Sequence, residues 1–204
     1  MNAPLHEIVA HIRPRDPKMA DLIEHQGPLP LPEPLPPFAS LCRTIIGQQL
    51  SVRAASTVWG RFQLQFRKAD FLRPDHLKYT DEATLRQSGL SRSKAVSIQA
   101  LTRAFIHDEQ RFTFPADDPR TNEEIAEILQ RIRGIGPWTA QMFLMFTLRR
   151  PDVFASGDLG IQKAIGRLYA PNGNRPTTDE CLRLSKAWSP YRSIVCLHLW
   201  HSLE

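Results

Sequence analysis

Apolar residues recur three and four positions apart along most of this 204-residue chain, and strand-like alternation is nearly absent. Ile125, Ile128, Leu129 and Ile132 share one helical face, as do Ala95, Ile98, Leu101 and Phe105; Leu41, Ile45 and Ile46 repeat the pattern after Phe38. Polar punctuation divides these stripes. Asp16 before Pro17 predicts an N-cap and first-turn proline, with Gly27 ending that helix. Ser51 caps "VRAASTVWGRFQLQF", Thr80 starts a short helix that Gly89 stops, and Ser91 opens "RSKAVSIQALTRAFI". Thr121 with Glu124 forms a capping box. A very apolar helix runs from Pro137 to about Leu148, two more lie near 159–169 and 178–188, and a last one starts at about Pro190. The prediction is an all-α fold of about ten helices.

Residues 28–37, "PLPLPEPLPP", interrupt the pattern. Successive prolines lack donors and turn their predecessors away from the α region, so this stretch is extended. It reads as a stiff connector between lobes, with a ligand for a polyproline-binding module as the alternative. The lobes expected on either side are 1–36 with 151–204, and 37–150.

Composition narrows the class. Hydrophobic residues at 42% and charged residues at 23% are those of a globular protein rather than a disordered one. A net charge of +5 favours a polyanionic partner without requiring one. Cys42, Cys181 and Cys196 are far apart and odd in number, which fits a reducing compartment and argues against a disulfide framework, a zinc site or an iron–sulfur cluster. No apolar run approaches the roughly 20 residues of a membrane span. "MNAPLHEIVAHIRPRD" lacks the apolar block of a signal peptide, so a soluble, intracellular protein is expected.

The chemistry concentrates in "RIRGIGPWTAQ", residues 131–141. Gly134 can take the left-handed conformation that closes a helix, and Gly136 with Pro137 suits the start of the next. Two glycines without side chains expose backbone N–H groups at a helix start, where an anion binds well. Ile135 would pin the turn to the core, and Arg131 and Arg133 add mobile positive charge. A tight helix–helix connection that binds nothing is the alternative.

"LQRIRGIGPWTAQMFLMF" resembles the helix–hairpin–helix of the base-excision DNA glycosylases, whose hairpin is followed by a glycine/proline-rich loop and an essential aspartate. Here "RRPDVFASGDLGIQKA" places Asp158 22 residues after Gly136. Within that HhH-GPD superfamily, "IIGQQLSVRAA", "GLSRSKAVSIQAL", "GIGPWTA", "DVFASGD" and "WSPYRSIVCLHLW" resemble, in order, the blocks of the 3-methyladenine DNA glycosylase II (AlkA-type) branch. Together they cover residues 38 to 201. The larger bacterial members carry an N-terminal β-rich domain; a compact form without it is expected here.

The resemblance implies a two-lobed helical fold with a central DNA-binding cleft, and a monofunctional enzyme that removes alkylated purines of the 3-methyladenine type from double-stranded DNA in base excision repair. It implies phosphate contacts from Gly134, Ile135, Gly136, Thr139 and Arg133, and no required cofactor. A structural Na⁺ or K⁺ would sit on the backbone carbonyls of Gln130, Ile132 and Ile135. Asp158 would be catalytic, stabilising charge that develops on the sugar and orienting or deprotonating a water; capping of the helix at Leu159 is its structural alternative. Trp138 stands where strand-cleaving relatives hold a lysine that forms a Schiff base, and no lysine occurs between Lys94 and Lys163, so no lyase activity is expected. Trp138, Trp200 and Met142 would line the base pocket, where electron-rich rings attract a cationic base. "GQQLS" occupies the place of the family's wedge loop, with Gln49, Leu50 and Gln48 as candidates to fill the gap left by an extruded base. Arg43, Arg53, Arg92, Lys94, Lys163 and Arg167 are further candidates for phosphate contact, or solvated surface charges.

Two metal motifs fail. His6 and His11 in "HEIVAH" are five apart, about 500° around a helix and off one face. His198 and His201 share a face without a third ligand near in sequence. A noncatalytic DNA clamp and a glycosylase of different specificity, such as for mismatched adenine, are the competing functions. A monomer is expected, located wherever the DNA is: the cytoplasm and nucleoid of a bacterium, or a eukaryotic nucleus.

Overall fold

The structure is a computed structural model, and it describes residues 3–67, 70–115, 118–170 and 175–204. Among these residues there are eleven α-helices and no strand. In chain order they are α1 (Leu5–Ile12), α2 (Pro17–Gln26), α3 (Pro37–Gly47), α4 (Val52–Phe66), α5 (Glu82–Gln87), α6 (Arg92–His107), α7 (Asn122–Gln130), α8 (Pro137–Phe146), α9 (Leu159–Tyr169), α10 (Thr178–Ser185) and α11 (Arg192–His201). Among the described residues, no helix is long and apolar enough to cross a membrane. The chain divides into two compact units, Met1–Pro32 with Arg149–Glu204, and Glu33–Leu148.

The sequence caps act at most of the expected ends. Asp16 Oδ1 accepts the Met19 N–H at 3.0 Å, Ser51 and Ser91 accept from Ala54 and Lys94, and the Thr121–Glu124 box is closed in both directions. Each such cap stabilises its helix by about 1 kcal/mol. One boundary moves. Asp81 rather than Thr80 caps α5: Asp81 Oδ1 accepts the Thr84 N–H at 2.7 Å and the Asp81 carbonyl accepts the Leu85 N–H, while Thr80 belongs to the turn that follows the 3₁₀ stretch Pro74–Leu77, its N–H on the Leu77 carbonyl. At the chain's end, α10 stops at Ser185, a 3₁₀ turn follows over Lys186–Trp188, and α11 begins at Arg192. Helix α1, which the punctuation does not announce, buries Ile8, Val9 and Ile12.

In the 33–148 unit, α3 is central and packs against α4, α6 and α8. Leu41, Ile45 and Ile46 of α3 are buried, as are Ile98 and Leu101 of α6. Helix α8 buries Ala140, Phe143, Leu144 and Met145, which is why its sequence is apolar nearly all round. In the other unit, α1 packs on α2, and α11 packs on both α2 and α9. Asp16 ties that unit together: its Oδ2 accepts the Trp188 indole N–H at 2.7 Å and the Tyr169 hydroxyl. Burial, with Asp16 as neighbour, pushes the Tyr169 hydroxyl pKa well up. Removing Asp16 would strand three donors, the Met19 N–H of the cap among them, at a cost of about 1–3 kcal/mol each.

Candidate functional site

The glycine turn is built from the core outwards. After α7, Ile132 and Ile135 are buried and joined by the Ile135 N–H donating to the Ile132 carbonyl at 3.1 Å, while Arg131 and Arg133 are exposed. Gly134 has φ +91°, which L side chains rarely adopt. A Cβ there would also lie 2.0 Å from Ser97 Oγ and 2.4 Å from Ser97 Cβ, so α6 leaves room only for glycine. Gly136 differs: it is the N-cap of α8, and a Cβ would meet nothing within 4 Å. Nothing in the fold therefore requires glycine at 136, whereas close approach of a bulky anion would.

The Thr139 side chain is turned away from the surface of the turn. It is 1% exposed, and its hydroxyl faces inward to accept the Gln48 side-chain N–H at 2.9 Å. The same Gln48 amide donates to the Gly134 carbonyl at 3.0 Å. Gln48 is thus taken up in bracing the hairpin, which separates it from the other two wedge candidates. Gln49 and Leu50 are exposed, and Gln49 adopts φ +55°. Lys94 is also engaged: its ammonium donates to the Ile46 carbonyl at 2.8 Å and the Gln48 carbonyl at 2.7 Å. Burial lowers its pKa, and both bonds turn its ammonium towards backbone carbonyls. Arg92 lies 3.4 Å from Glu82, while Arg43 and Arg53 are exposed on α3 and α4. Lys163 and Arg167 are exposed on α9.

The aspartate loop belongs to the other unit and is clamped to α11. Arg192 donates to both oxygens of Asp152, at 2.6 and 2.8 Å, and the Ser189 hydroxyl adds a third bond at 2.8 Å. Burial would raise the Asp152 pKa, but the bonds from Arg192 and Ser189 outweigh it and hold the carboxyl below the usual range. Asp152 is therefore a structural anchor, as its place in the loop suggests. The Val153 N–H donates to Ser193 Oγ at 3.0 Å, and residues 153–156 are buried.

This anchoring brings Asp158 to the start of α9. Its Oδ1 accepts two bonds, from the Ile161 N–H at 2.9 Å and from the Trp200 indole N–H at 2.9 Å. Asp158 is therefore a helix cap, and its carboxylate is oriented from the far helix as well. Gly160 keeps this arrangement uncrowded. A Cβ at that position would stand 3.0 Å from Asp158 Oδ1 and 3.1 Å from Trp200 Cδ1. The family resemblance pointed to Asp158 and Trp200 separately and did not include Gly160; the local hint is a glycine two residues past a capping aspartate. Leu159 beside it is 64% exposed.

Trp138 is half-buried and Met142, one turn later on α8, is 7% exposed. The two histidines of α11 diverge. His198 is buried against Gln26, at 2.7 Å, and burial pushes its pKa down to about 4; His201 is exposed beside Glu204. Among the described residues, no group of three or more His, Cys, Asp or Glu side chains could hold a metal ion, and the three cysteines are buried thiols.

Comparison with known proteins gives one consistent picture. The sequence profile described as "HhH-GPD superfamily base excision DNA repair protein" matches residues 42–190. A Bacillus subtilis protein named as a candidate DNA-3-methyladenine glycosylase is 34% identical over 89% of this chain, which spans 63% of that relative's length. An alkylbase DNA glycosidase-like protein of Schizosaccharomyces pombe is 30% identical, covering 93% of this chain and 90% of its own. Among solved structures, S. pombe 3-methyladenine DNA glycosylase in complex with abasic DNA superposes with a TM-score of 0.86 at 27% identity, over 96% of each chain. A DNA-3-methyladenine glycosidase from Bacillus halodurans gives 0.81 at 33% identity, over 98% of this chain and 89% of that one.

Proposed function

The chain belongs to the HhH-GPD superfamily of base excision DNA repair proteins, and we propose that it is a monofunctional DNA glycosylase that excises alkylated purines from double-stranded DNA. The observation that carries this reading is Asp158, a half-buried carboxylate whose rotamer is held by two N–H donors from different helices.

In the proposed reaction the bond between C1′ and the base nitrogen breaks, and the electron pair leaves with the base. An alkylated purine that carried positive charge leaves neutral, so no general acid is needed at the base. Positive charge builds on the sugar, where the fixed carboxylate of Asp158 stabilises it. Water oxygen then bonds to C1′, and its proton passes to Asp158 or to solvent. The product is an abasic site with an intact backbone. Trp138 stands where a lysine nucleophile would be needed for strand cleavage, and offers a ring face to a cationic base instead. The indole of Trp200 donates in the plane of its ring, so both faces keep their attraction for such a base.

The hairpin would hold DNA through backbone N–H groups at Gly136 and the start of α8, with Arg133 nearby. The carbonyls of Gln130, Ile132 and Ile135 suit a monovalent cation; that of Ile132 accepts one bond from Ile135 and keeps a second lone pair. Such an ion would add positive charge beside the phosphate. Gln49 or Leu50 would fill the gap in the stack. We propose that the enzyme acts as a monomer, in whichever compartment holds the DNA.

Mass spectrometry of bases released from methylated duplex DNA tests the proposal. The wild type releases alkylated purines, and Asp158→Asn binds the DNA but releases nothing. Binding without release by the wild type would instead identify a DNA clamp. Full activity in Asp158→Asn would remove the mechanism.

A further inference from the structure

Helix α3 ends at Gly47, and the last carbonyls of a helix have no partners within it. Lys94, reaching across from the first turn of α6, supplies partners to two carbonyls at this end, those of Ile46 and Gln48. A cation at a helix C-terminus also suits the helix dipole. Between those two carbonyls lies Gly47, and beyond them Gln49 takes φ +55°. A non-glycine residue holds that conformation at a cost, and keeps it only where its surroundings impose it. Leu50, 41% exposed, comes next, and Ser51 restarts the helix as the cap of α4. The backbone is therefore gripped on one side of Gln49 and Leu50 by Lys94, and re-anchored on the other by α4.

Gln48 carries the same restraint further. Its backbone carbonyl is held by Lys94, and its side chain donates to the Gly134 carbonyl and the Thr139 hydroxyl. Lys94, the 47–51 loop and the glycine turn are one hydrogen-bonded frame within a single unit.

We propose that Lys94 is a positioning residue for base extrusion: by clamping the carbonyls of Ile46 and Gln48 it stiffens the 47–51 loop against the base stack. The proposal rests on the glycosylase reading and on that loop entering the duplex. A wedge that yields under load cannot hold a nucleotide out of the helix. Through Gln48, the stiff loop is referenced to the element that would grip phosphate, so grip and wedge move together.

The experiment compares single-turnover release of methylated bases by wild type, Lys94→Met, Lys94→Arg and Asp158→Asn. Lys94→Met keeps the aliphatic stem and loses the donors. Two substrates are used, a methylated base in a matched duplex and the same base opposite an abasic position, where extrusion costs less. Loss of hydrogen bonds from a charged donor predicts that Lys94→Met slows release from the matched duplex by about tenfold or more. The slowing should shrink to about threefold or less opposite the abasic position, and Lys94→Arg should recover most of the rate. Equal slowing on both substrates would overturn the proposal. So would weaker binding of undamaged duplex with a shallower salt dependence, which would make Lys94 a phosphate contact. A lowered melting temperature with unchanged release would make it purely structural and overturn the proposal too. Release by Asp158→Asn at the wild-type rate would instead strike the glycosylase reading itself.

Discussion

Trp200 donates its indole N–H to Asp158 Oδ1 at 2.9 Å, across 42 residues of chain. The aspartate is thereby both the cap of α9 and a group aimed from α11, and Gly160 is the gap through which the indole reaches it. If Trp200 served only as a wall for the base, its loss would weaken substrate binding. Because it also orients the carboxylate, Trp200→Phe should lower kcat by about ten- to a hundredfold while KM changes little. Gly160→Ala should push the indole back and act in the same direction. Steady-state kinetics on methylated DNA would show the split; a rise in KM with kcat preserved would restrict Trp200 to the pocket.

The two glycines of the hairpin should separate stability from binding. Gly134→Ala meets both a positive φ and Ser97, and should cost about 2 kcal/mol or more of stability. Gly136→Ala meets nothing, and its stability should stay within about 0.5 kcal/mol of wild type. If Gly136 is bare so that a phosphate can approach, that variant should nevertheless bind DNA about tenfold less tightly. Thermal unfolding and a binding titration check the pair. Unchanged affinity in Gly136→Ala would leave the residue without a role at the interface.

A phosphate grip also predicts a salt signature. Binding of undamaged duplex should weaken steeply with salt as counterions are released. Arg133→Ala should reduce the slope of log affinity against log salt by about one, similarly for all sequences. A flat response in the wild type would contradict the grip.

The buried histidine predicts a pH dependence of stability. His198 has its pKa pushed down to about 4 by burial, against an ordinary value of 6.5. Between those values the unfolded chain takes up a proton that the folded one refuses, so stability falls as pH drops from 6.5 to about 4 and levels off below. The total is roughly 3 kcal/mol. Asp152 acts in the same sense, because its depressed pKa also leaves the unfolded chain binding more protons, but its loss falls mainly below the carboxylate's usual 3.8, outside this window. Denaturant unfolding at pH 7 and pH 4 should show a smaller difference for His198→Gln than for wild type; an equal difference would assign the acid sensitivity elsewhere.

What the sequence determined by itself is what local physics controls. Asp16, Ser51, Ser91 and the Thr121–Glu124 box cap their helices because a capping oxygen and its N–H are three residues apart whatever lies around them. The helical stripes and the glycine turn are readable for the same reason. Even locally the limit shows at Thr80, where the neighbouring Asp81 supplies the capping oxygen instead. Tertiary structure alone decided which partners the site residues found. Gln48 bonds the Gly134 carbonyl 86 residues away, Lys94 bonds the Gln48 carbonyl 46 residues back, and a Cβ at Gly160 would crowd Trp200, which arrives from 40 residues on, as well as Asp158 nearby. Such contacts follow from how helices pack, and packing distance has no counterpart in spacing along the chain. The residues to which the resemblance assigns the chemistry were legible as types at positions, while the contacts that hold them in place became visible only in three dimensions.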